Sequence, residues 1–231
     1  MPADTLHPGQ VRAWYVDLAR WPTADAGRCL DAAERGRAER FRRDQHRRQF
    51  LASHCAFRHL VAGYLGCAAA EVRIARLCAH CGDPGHGKPA VAGPVGGRRL
   101  EVNASHAGEL GLVAVAWAPL VVGVDVERLR PGVDWRGVLR QLDAEPPPGS
   151  DADGFGRWTR IEAVTKAAGL GLAARPSIQP AGGGDGWRAA RIPGSSPTWQ
   201  VRTLPVPDGY AAALAVDRVP PAGVEVSSWS G

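Results

Sequence analysis

The features that the sequence lacks restrict the kinds of protein it can encode. Its 231 residues contain no apolar run near the about 20 residues that a membrane-spanning helix needs. The first ten residues, MPADTLHPGQ, have neither a basic start nor an apolar core, so we expect no signal peptide. These two absences predict a cytoplasmic protein with no membrane partner.

The chain has few cysteines, and their number is odd. Five cysteines in a chain of this length argue against a disulfide framework. One C-x-x-C pair, Cys78 and Cys81, raises the possibility of structural zinc, but no second pair follows at a finger or ribbon spacing. The side chains that could complete such a site are His54, Cys55, Cys67, His80 and His86. Whether this pair binds a metal stays open.

No internal repeat and no strong linker divides the chain, and its apolar (45%) and charged (22%) contents are those of a globular protein. Helical and strand-like segments are mixed along the chain. The best point of division lies near residue 120, where one group of strands can end and another can begin. We therefore predict an N-terminal subdomain over residues 1–120 and a C-terminal subdomain over residues 121–231.

Periodicity places the main elements. VRAWYVDLARW, at residues 11–21, alternates like a strand, and residues 31–66 have helical spacing up to Gly66. LEVNASH, LGLVAVAWA and LVVGVDVE are predicted to form a three-stranded meander. Residues 143–156 are predicted to be a loop, and the last dozen residues a loose tail. A helix is predicted to begin at Thr159 as N-cap and to end at Gly169 or Gly171.

Arginines are concentrated in the predicted basic helix. Nine of them lie between Arg28 and Arg58, a density that favours an anionic partner but is also found on solvated helix faces. A nucleic-acid-binding module is one reading. It lacks the interleaved aromatic residues that stack on bases, so we expect no nucleic acid partner.

Two carboxylates, Asp125 and Glu127, stand at alternate positions of a strand-like segment. Side chains two residues apart share a face of a strand, so these charges repel each other unless a cation lies between them. Hard divalent ions such as Mg²⁺ prefer oxygen ligands of this kind. The alternative is an exposed face neutralised by Arg128 and Arg130.

Glu162 and Lys166 form a second candidate pair. Thr159 and Glu162 fit a capping box, and Glu162 and Lys166 have the spacing of a helical ion pair. Glu162 could instead complete a three-carboxylate metal site or act as a general base, with Lys166 holding a phosphate.

Ser105 and His106 are adjacent on a strand and point to opposite faces, which disfavours a serine hydrolase, and no G-x-S-x-G motif is present.

Taken in order, the fragments RFRRDQHRRQFLASHCAFR, GKP, NASH, GVDVE and WTRIEAVTKAAGLGL resemble the Sfp-type 4'-phosphopantetheinyl transferases. With the closing YAAALAV strand the resemblance covers nearly the whole chain. It implies an α+β fold of two similar α/β subdomains with pseudo-twofold symmetry and an active site in the cleft between them. It also implies transfer of 4'-phosphopantetheine from coenzyme A to a serine of an apo acyl or peptidyl carrier protein, with release of 3',5'-ADP.

The resemblance implies a role for each matching residue. Asp125, Glu127 and Glu162 match the Mg²⁺ ligands, and Glu162 and Lys166 match the catalytic pair. The matches to coenzyme A contacts are Arg37, Arg48, Lys88, Ser105, His106 and Lys166. The family also implies a monomer.

Some questions stay open. Ile161 stands where the family commonly has lysine, and the loop at residues 143–156 replaces a region that helps to dock the carrier. The choice between Mg²⁺ and Mn²⁺, and between carriers of fatty acid, polyketide or nonribosomal peptide synthesis, is not determined. The alternative function is another metal-dependent phosphotransferase or hydrolase that uses the same three carboxylates.

Overall fold

The structure is a computed structural model. It describes residues 6–24, 26–77, 82–83, 87–93, 97–140, 148–171, 176–178, 186–194, 196, 198–217 and 221–230. It has the mixed α+β composition that the sequence predicts. The helices are α1 (Ala26–Cys29), α2 (Ala32–Glu39), α3 (Asp44–Leu65), α4 (Trp135–Leu139) and α5 (Asp151–Ala168).

The strands form two larger sheets and one hairpin. They are β1 (Gln10–Asp17), β2 (Ile74–Leu77), β3 (Lys88–Val91), β4 (Leu100–Ala107), β5 (Leu110–Trp117), β6 (Val122–Arg128), β7 (Ser177–Ile178), β8 (Arg188–Arg191), β9 (Trp199–Thr203), β10 (Tyr210–Val216) and β11 (Gly223–Ser228). The first sheet has the order β11-β1-β5-β4 and the second the order β6-β10-β9-β8-β7, while β2 pairs with β3.

The predicted three-stranded meander is wrong in its last strand. β4 and β5 pair as predicted, but β6 pairs with β10 in the second sheet. The physical reason is that both edges of β5 are already occupied, by β1 on one side and β4 on the other. β6 therefore pairs with β10 and forms the edge of a second sheet.

The main elements of the two sheets are connected in the same order. In the first, β1 is followed by α3 and then by β4 and β5, and the strands lie in the order β1-β5-β4. In the second, β6 is followed by α5 and then by β9 and β10, and the strands lie in the order β6-β10-β9. The change of sheet falls between β5 and β6. The division at residue 120 stays a prediction.

The single helix predicted over residues 31–66 is divided into α2 and α3. Asp31 caps α2 in a reciprocal box with Glu34, and Arg43, in extended conformation, precedes α3. The turn between the helices brings the rings of Phe41 and Phe50 to a centroid distance of 5.3 Å. This aromatic contact favours a break over a continuous basic helix. The end at Gly66 is confirmed.

Helix α5 begins earlier than the sequence predicts. Its N-cap is Ser150, whose side chain accepts a hydrogen bond from the Asp153 N–H. Thr159 is an interior residue whose hydroxyl donates to the Gly156 carbonyl, so neither the predicted N-cap nor the capping box with Glu162 exists. The predicted end at Gly169 is confirmed, and this glycine has the left-handed conformation (φ 72°) typical of a helix end.

Packing explains why the polar segment before Thr159 is helical. Phe155 is buried and contacts Trp135 of α4 edge-on, at a centroid distance of 4.7 Å. Asp151 accepts hydrogen bonds from the Trp135 indole and from the Gly132 N–H. The predicted loop is therefore wrong over residues 151–156, and residues 143–147 lie outside the described part of the chain.

The C-terminal segment is not a loose tail. β11 pairs in parallel with β1, and Glu225 forms an ion pair with Arg12 at 2.7 Å. Trp229 follows β11 and packs against Trp21, with ring centroids 4.8 Å apart. The last strand thus completes the first sheet.

One pair of cysteines departs from the expectation of no disulfide framework. Cys29 of α1 and Cys55 of α3 are disulfide-bonded, and Cys67 is free. Since Cys55 is bonded in this way, it is not available to the C-x-x-C pair as a zinc ligand. Cys78, His80, Cys81 and His86 lie outside the described residues.

The core lies on both sides of the first sheet. α3 covers one side, where Phe57, Leu60 and Val61 pack with residues of β4 and β5. On the other side, a second cluster joins β1 and β5 to β6 and β10. α5 packs on β9 and β10 through Ala163, Val164 and other small residues.

Within the described ranges, no helix has both the length and the apolar character required to cross a membrane.

Candidate active site

A cavity of about 620 Å³ lies between the first sheet, the β2–β3 hairpin and the helices α2, α3 and α5. Its walls come from α2 and α3, from β3, β4 and β5, and from the last turns of α5. The polar side chains that line it are those of Arg37, Ser53, His54, Arg76, Lys88, Asn103, Ser105, His106, Glu162, Thr165 and Lys166. Most of these groups carry nitrogen, so the cavity has the composition of an anion-binding site.

The alternation of β6 decides where its carboxylates point. Val122, Val124 and Val126 are buried in the cluster between the sheets. Asp125 and Glu127 therefore lie on the other face of the strand, which packs against α5. The sequence prediction that they share a face is consistent with this register.

A glycine allows α5 to approach this face closely. A Cβ atom on Gly123 would lie only 2.7 Å from the Cα of Ala167 and would also overlap backbone atoms of Ala163 and Ala167. With glycine there, the last turns of α5 rest directly on β6. Glu162 and Lys166 are thereby brought to the same region as Asp125.

Asp125 is the most buried of the candidate carboxylates, with 3% of its surface exposed. Its Oδ1 accepts hydrogen bonds from the Ser105 hydroxyl at 2.8 Å and from the Lys166 ammonium at 2.6 Å. Its Oδ2 is buried and has no hydrogen-bond partner among the described residues. Burial raises the pKa of Asp125, although Lys166 and Ser105 oppose the shift.

Glu127 of β6 and Glu162 of α5 are both half-buried. Glu127 accepts a hydrogen bond from the Trp158 indole at 3.2 Å. Burial and then repulsion by Asp125 raise its pKa. Burial and then the charge of Asp125 also raise the pKa of Glu162, and the charge of Glu127 adds to this effect. The three carboxylates therefore repel one another. The sequence predicts this repulsion for Asp125 and Glu127.

The carboxylates have the chemistry of a divalent cation site without being gathered into one. In the part of the chain that is described, no three acidic, histidine or cysteine side chains are close enough to form a metal-binding group. The buried, unpartnered Oδ2 of Asp125 and the mutual repulsion of the carboxylates nevertheless fit a hard cation with oxygen ligands. The residues that could hold such an ion are Asp125, Glu127 and Glu162.

Lys166 does not form the helical ion pair with Glu162 that its spacing suggests. Its ammonium group instead donates to Asp125 and, at 2.8 Å, to the Ser105 hydroxyl. Among the described side chains, no ion pair joins it to Glu162. Because the buried Asp125 oxygen is the stronger acceptor, Lys166 turns towards β6 and leaves Glu162 facing the cavity.

Lys88 begins β3 and reaches across to two other elements. Its ammonium donates to Glu101 of β4 at 3.1 Å and to the Ala167 carbonyl at 3.4 Å. Burial lowers the pKa of Lys88, and Glu101 opposes that shift. This lysine therefore lines the cavity, where its ammonium group is held by two protein groups.

Of the other residues predicted to contact coenzyme A, two line the cavity and Arg48 does not. His106 and Arg37 line the cavity. Although His106 is exposed towards the cavity, the protein around its ring lowers its pKa, and the positive charges of His54, Lys166 and Arg37 add to the shift. Arg37 also lies over the Phe50 ring at 5.6 Å. Arg48 is exposed on α3 and is not one of the cavity-lining residues.

Several polar residues of the cavity, among them Arg76 and Asn103, were not assigned from the sequence. Arg76 of β2 donates to the Gly87 carbonyl at 3.3 Å, and burial lowers its pKa. Asn103 is 2% exposed, and its side-chain oxygen accepts a hydrogen bond from the Val124 N–H, which joins β4 to β6. Asn103 stands in the NASH fragment. Arg76 lies in a strand pattern that carries no functional signal.

No family model matches the chain. The chain is 29% identical over 226 residues to the 4'-phosphopantetheinyl transferase HetI of Nostoc sp., covering 93% of this chain and 91% of that protein. It is 28% identical over 185 residues to the L-aminoadipate-semialdehyde dehydrogenase-phosphopantetheinyl transferase of Schizosaccharomyces pombe, covering 71% and 67% of the two chains.

These relatives agree with the resemblance inferred from the ordered fragments. The first similarity extends over nearly the whole chain, including the segments that carry Asp125 and Glu162. The predicted resemblance to the 4'-phosphopantetheinyl transferases is therefore confirmed, and so is the prediction that the chain is an enzyme of this kind.

Proposed function

We propose that the protein transfers the 4'-phosphopantetheine group of coenzyme A to a serine of an apo acyl or peptidyl carrier protein, in a reaction that needs Mg²⁺. A bond forms between the serine oxygen and the phosphorus atom that carries the pantetheine arm. The bond from that phosphorus to the other phosphate breaks, and 3',5'-ADP leaves. The serine proton passes to a base of the protein.

The observation that carries the proposal is a basic cavity that is lined by Glu162, a carboxylate that interacts electrostatically with Asp125 and Glu127. A nucleotide with several phosphate groups is strongly anionic, and the arginine, lysine and histidine side chains of the cavity are suited to it. A cavity of about 620 Å³ is also within the usual size of a cofactor site. The names of the two relatives support the same reaction.

Asp125, Glu127 and Glu162 would hold the Mg²⁺ ion. When bound, the ion supplies positive charge that stabilises the negative charge of a pyrophosphate. In support, the three carboxylates repel one another, which raises the pKa values of Glu127 and Glu162 beyond the effect of burial. A cation among them would remove this repulsion.

Glu162 is the proposed base, and Lys166 is proposed to bind a phosphate oxygen. Glu162 lines the cavity and has a raised pKa, which makes it a better proton acceptor than an ordinary glutamate. Lys166 lies one helical turn away and already contacts an anionic oxygen, that of Asp125. The proposed contacts to coenzyme A are Arg37, Arg48, Lys88, Ser105, His106 and Lys166.

The proposed function also includes an arrangement of two subdomains around the active site. We infer that two subdomains, residues 1–120 and 121–231, are related by a pseudo-twofold axis with the active site between them. The equal connectivity of β1-α3-β4-β5 and β6-α5-β9-β10 supports this. The cytoplasmic location, the monomeric state and the absence of a nucleic acid partner stay predictions.

The proposal is tested by incubating the protein with coenzyme A, Mg²⁺ and a panel of apo carrier proteins, and by measuring the intact mass of each carrier. We expect at least one carrier to gain the mass of one phosphopantetheine, and a chelator to prevent the gain. If no carrier gains mass where a known transferase modifies the same panel, the proposal is wrong.

A further inference from the structure

Glu34 lies outside the carboxylate cluster, yet three groups converge on it. It belongs to α2, and its side chain accepts a hydrogen bond from the Asp31 N–H within the capping box. Its Oε1 lies 2.9 Å from His54 Nδ1, and its Oε2 accepts a hydrogen bond at 2.7 Å from the Nε of Arg58. Only 13% of its side chain is exposed. One carboxylate thus joins α2 to α3 in two places.

Arg58 explains why Glu34 is fixed in place. It is a fully buried arginine, 1% exposed, and pairs with both Asp31 and Glu34. It also donates to the carbonyl of Val72 at 2.7 Å. A buried guanidinium is costly unless its donors are satisfied, so Arg58 holds the two acids of α2 firmly.

The other partner of Glu34 is His54, which lies in the wall of the cavity. It lines the cavity together with Arg37, which lies one helical turn beyond Glu34 on α2. The His54 ring also stacks near Phe50 at a centroid distance of 4.0 Å. Since an ionised carboxylate can only accept, the Glu34 contact requires the proton on His54 Nδ1, and this leaves Nε2 as the nitrogen available to a ligand.

Charge supports the assignment of Glu34 as an ionised acceptor. Burial alone would raise the pKa of Glu34, but the hydrogen bond and charge of His54 and the charge of Arg58 outweigh it and lower the pKa. Arg76 of β2 also interacts electrostatically with Glu34, and His54 interacts in the same way with His106 of β4, which lines the same cavity.

We propose that Glu34 is a positioning residue for ligand binding, which sets the tautomer and orientation of His54 and holds α2, with Arg37, at the cavity wall. The inference rests on the proposed function, because it takes coenzyme A as the anionic ligand. Glu34 itself does not line the cavity. It acts on the ligand only through His54 and α2.

The test compares Glu34→Gln with Glu71→Gln in the full-length protein. Glu71 is an exposed glutamate that also accepts from a backbone N–H, that of Ala68, but it lies outside the cavity. We expect Glu34→Gln to weaken coenzyme A binding, measured by calorimetry, about tenfold or more, the usual value of a charge-assisted hydrogen bond. Glu71→Gln should leave the affinity unchanged.

Two further measurements separate positioning from a purely structural role. Nitrogen-15 NMR of the His54 ring should show a proton on Nδ1 in the wild type and a changed tautomer distribution in Glu34→Gln. In addition, the affinity loss of Glu34→Gln should be much smaller when His54→Gln is already present. Should Glu34→Gln fail to fold, the wild-type tautomer and the affinity of His54→Gln decide, and we expect that affinity to fall about tenfold.

The outcomes are distinguishable. If the wild type binds no coenzyme A, the proposed function is wrong and this inference with it. If the wild type binds and Glu34→Gln binds equally well, or if His54 carries its proton on Nε2, only the inference about Glu34 is wrong. Equal losses of affinity with and without His54→Gln would also contradict it.

Discussion

At the scale of single residues, the chain places acidic groups where burial makes their charge costly. Asp125 is 3% exposed, and one of its oxygens has no hydrogen-bond partner among the described residues. A buried carboxylate oxygen without a partner lowers the stability of the fold. Its presence is therefore better explained by a role in function. Chemistry on an anionic substrate is the purpose that we propose, and Glu162 and Asp125 provide separate tests of it.

Replacement of Glu162 by Gln should remove transfer activity by a factor of at least about 10² while the fold stays intact. The amide cannot accept the serine proton. Helix α5 should not be affected, because its N-cap is Ser150 and not Thr159. Activity is measured by carrier mass and folding by thermal denaturation, with Glu109→Gln in the exposed β4–β5 turn as control. Full activity in Glu162→Gln would exclude Glu162 as the base.

The difference in stability between Asp125→Asn and the wild type, both free of metal, should change with pH in a defined direction. The folded-state pKa of Asp125 is raised above its ordinary value of 3.8. Its contribution to the free energy of unfolding is therefore present below the unfolded-state pKa and lost as pH rises through the raised folded-state pKa. Because asparagine does not ionise, the Tm of Asp125→Asn relative to wild type should increase as pH rises.

The measurement is thermal denaturation with a chelator at several values between about pH 3.5 and about pH 8. Asp208→Asn, in the exposed turn before β10, serves as control and should show no such trend. The opposite trend for Asp125→Asn would mean that the ion pair with Lys166 outweighs burial.

At the scale of elements, the contact between β6 and α5 aligns the site. Gly123→Ala should lower the free energy of unfolding by about 2–3 kcal/mol, the cost of an overpacked core. It should also reduce activity, since α5 carries Glu162 and Lys166 and would have to move away from Asp125. Chemical denaturation and carrier mass provide the two readouts.

A matched control is Gly36→Ala in α2, where an added Cβ meets nothing within 4 Å. That change should raise the free energy of unfolding by about 0.5–1 kcal/mol through helix propensity. If Gly123→Ala is as stable and active as wild type, the close approach of α5 to β6 is not needed for the site.

Several elements were predictable because the signal is local. Alternation on β6 places Asp125 and Glu127 on one face, and glycines mark the ends of α3 and α5. The start of α5 was not predictable in this way. Asp151 and Phe155 belong to a polar, glycine-containing stretch, and their contacts with Trp135 of α4 form only in the folded chain.

The site itself was partly predictable. The carboxylates and Lys166 stand in fragments that resemble a known family. Arg76, in contrast, reaches the cavity wall, and Glu34 contacts the wall residue His54, only through packing between separate elements. Ile161 illustrates the same limit. It replaces the expected lysine because it is 1% exposed in a cluster with Trp135, Leu139 and Phe155, where a charge would be unpaired.

At the scale of the whole molecule, the C-terminal strand closes the first sheet. Removing residues 223–231 should lower the free energy of unfolding by about 2–4 kcal/mol, because β1 loses its parallel partner and Trp21 loses its contact with Trp229. Chemical denaturation of the truncated protein measures the loss. Removing only residues 230–231 is the control, and equal stability of the two truncated forms would show that β11 contributes nothing.

Phosphopantetheine transfer is the activity proposed for the whole molecule, and analysis of the reaction products tests it most directly. After incubation with coenzyme A, Mg²⁺ and an apo carrier, peptide mapping locates any modification while 3',5'-ADP is quantified in the same sample. We predict one phosphopantetheine on a single carrier serine and an equal amount of 3',5'-ADP. Release of a nucleotide without carrier modification would contradict the account and favour a metal-dependent hydrolase.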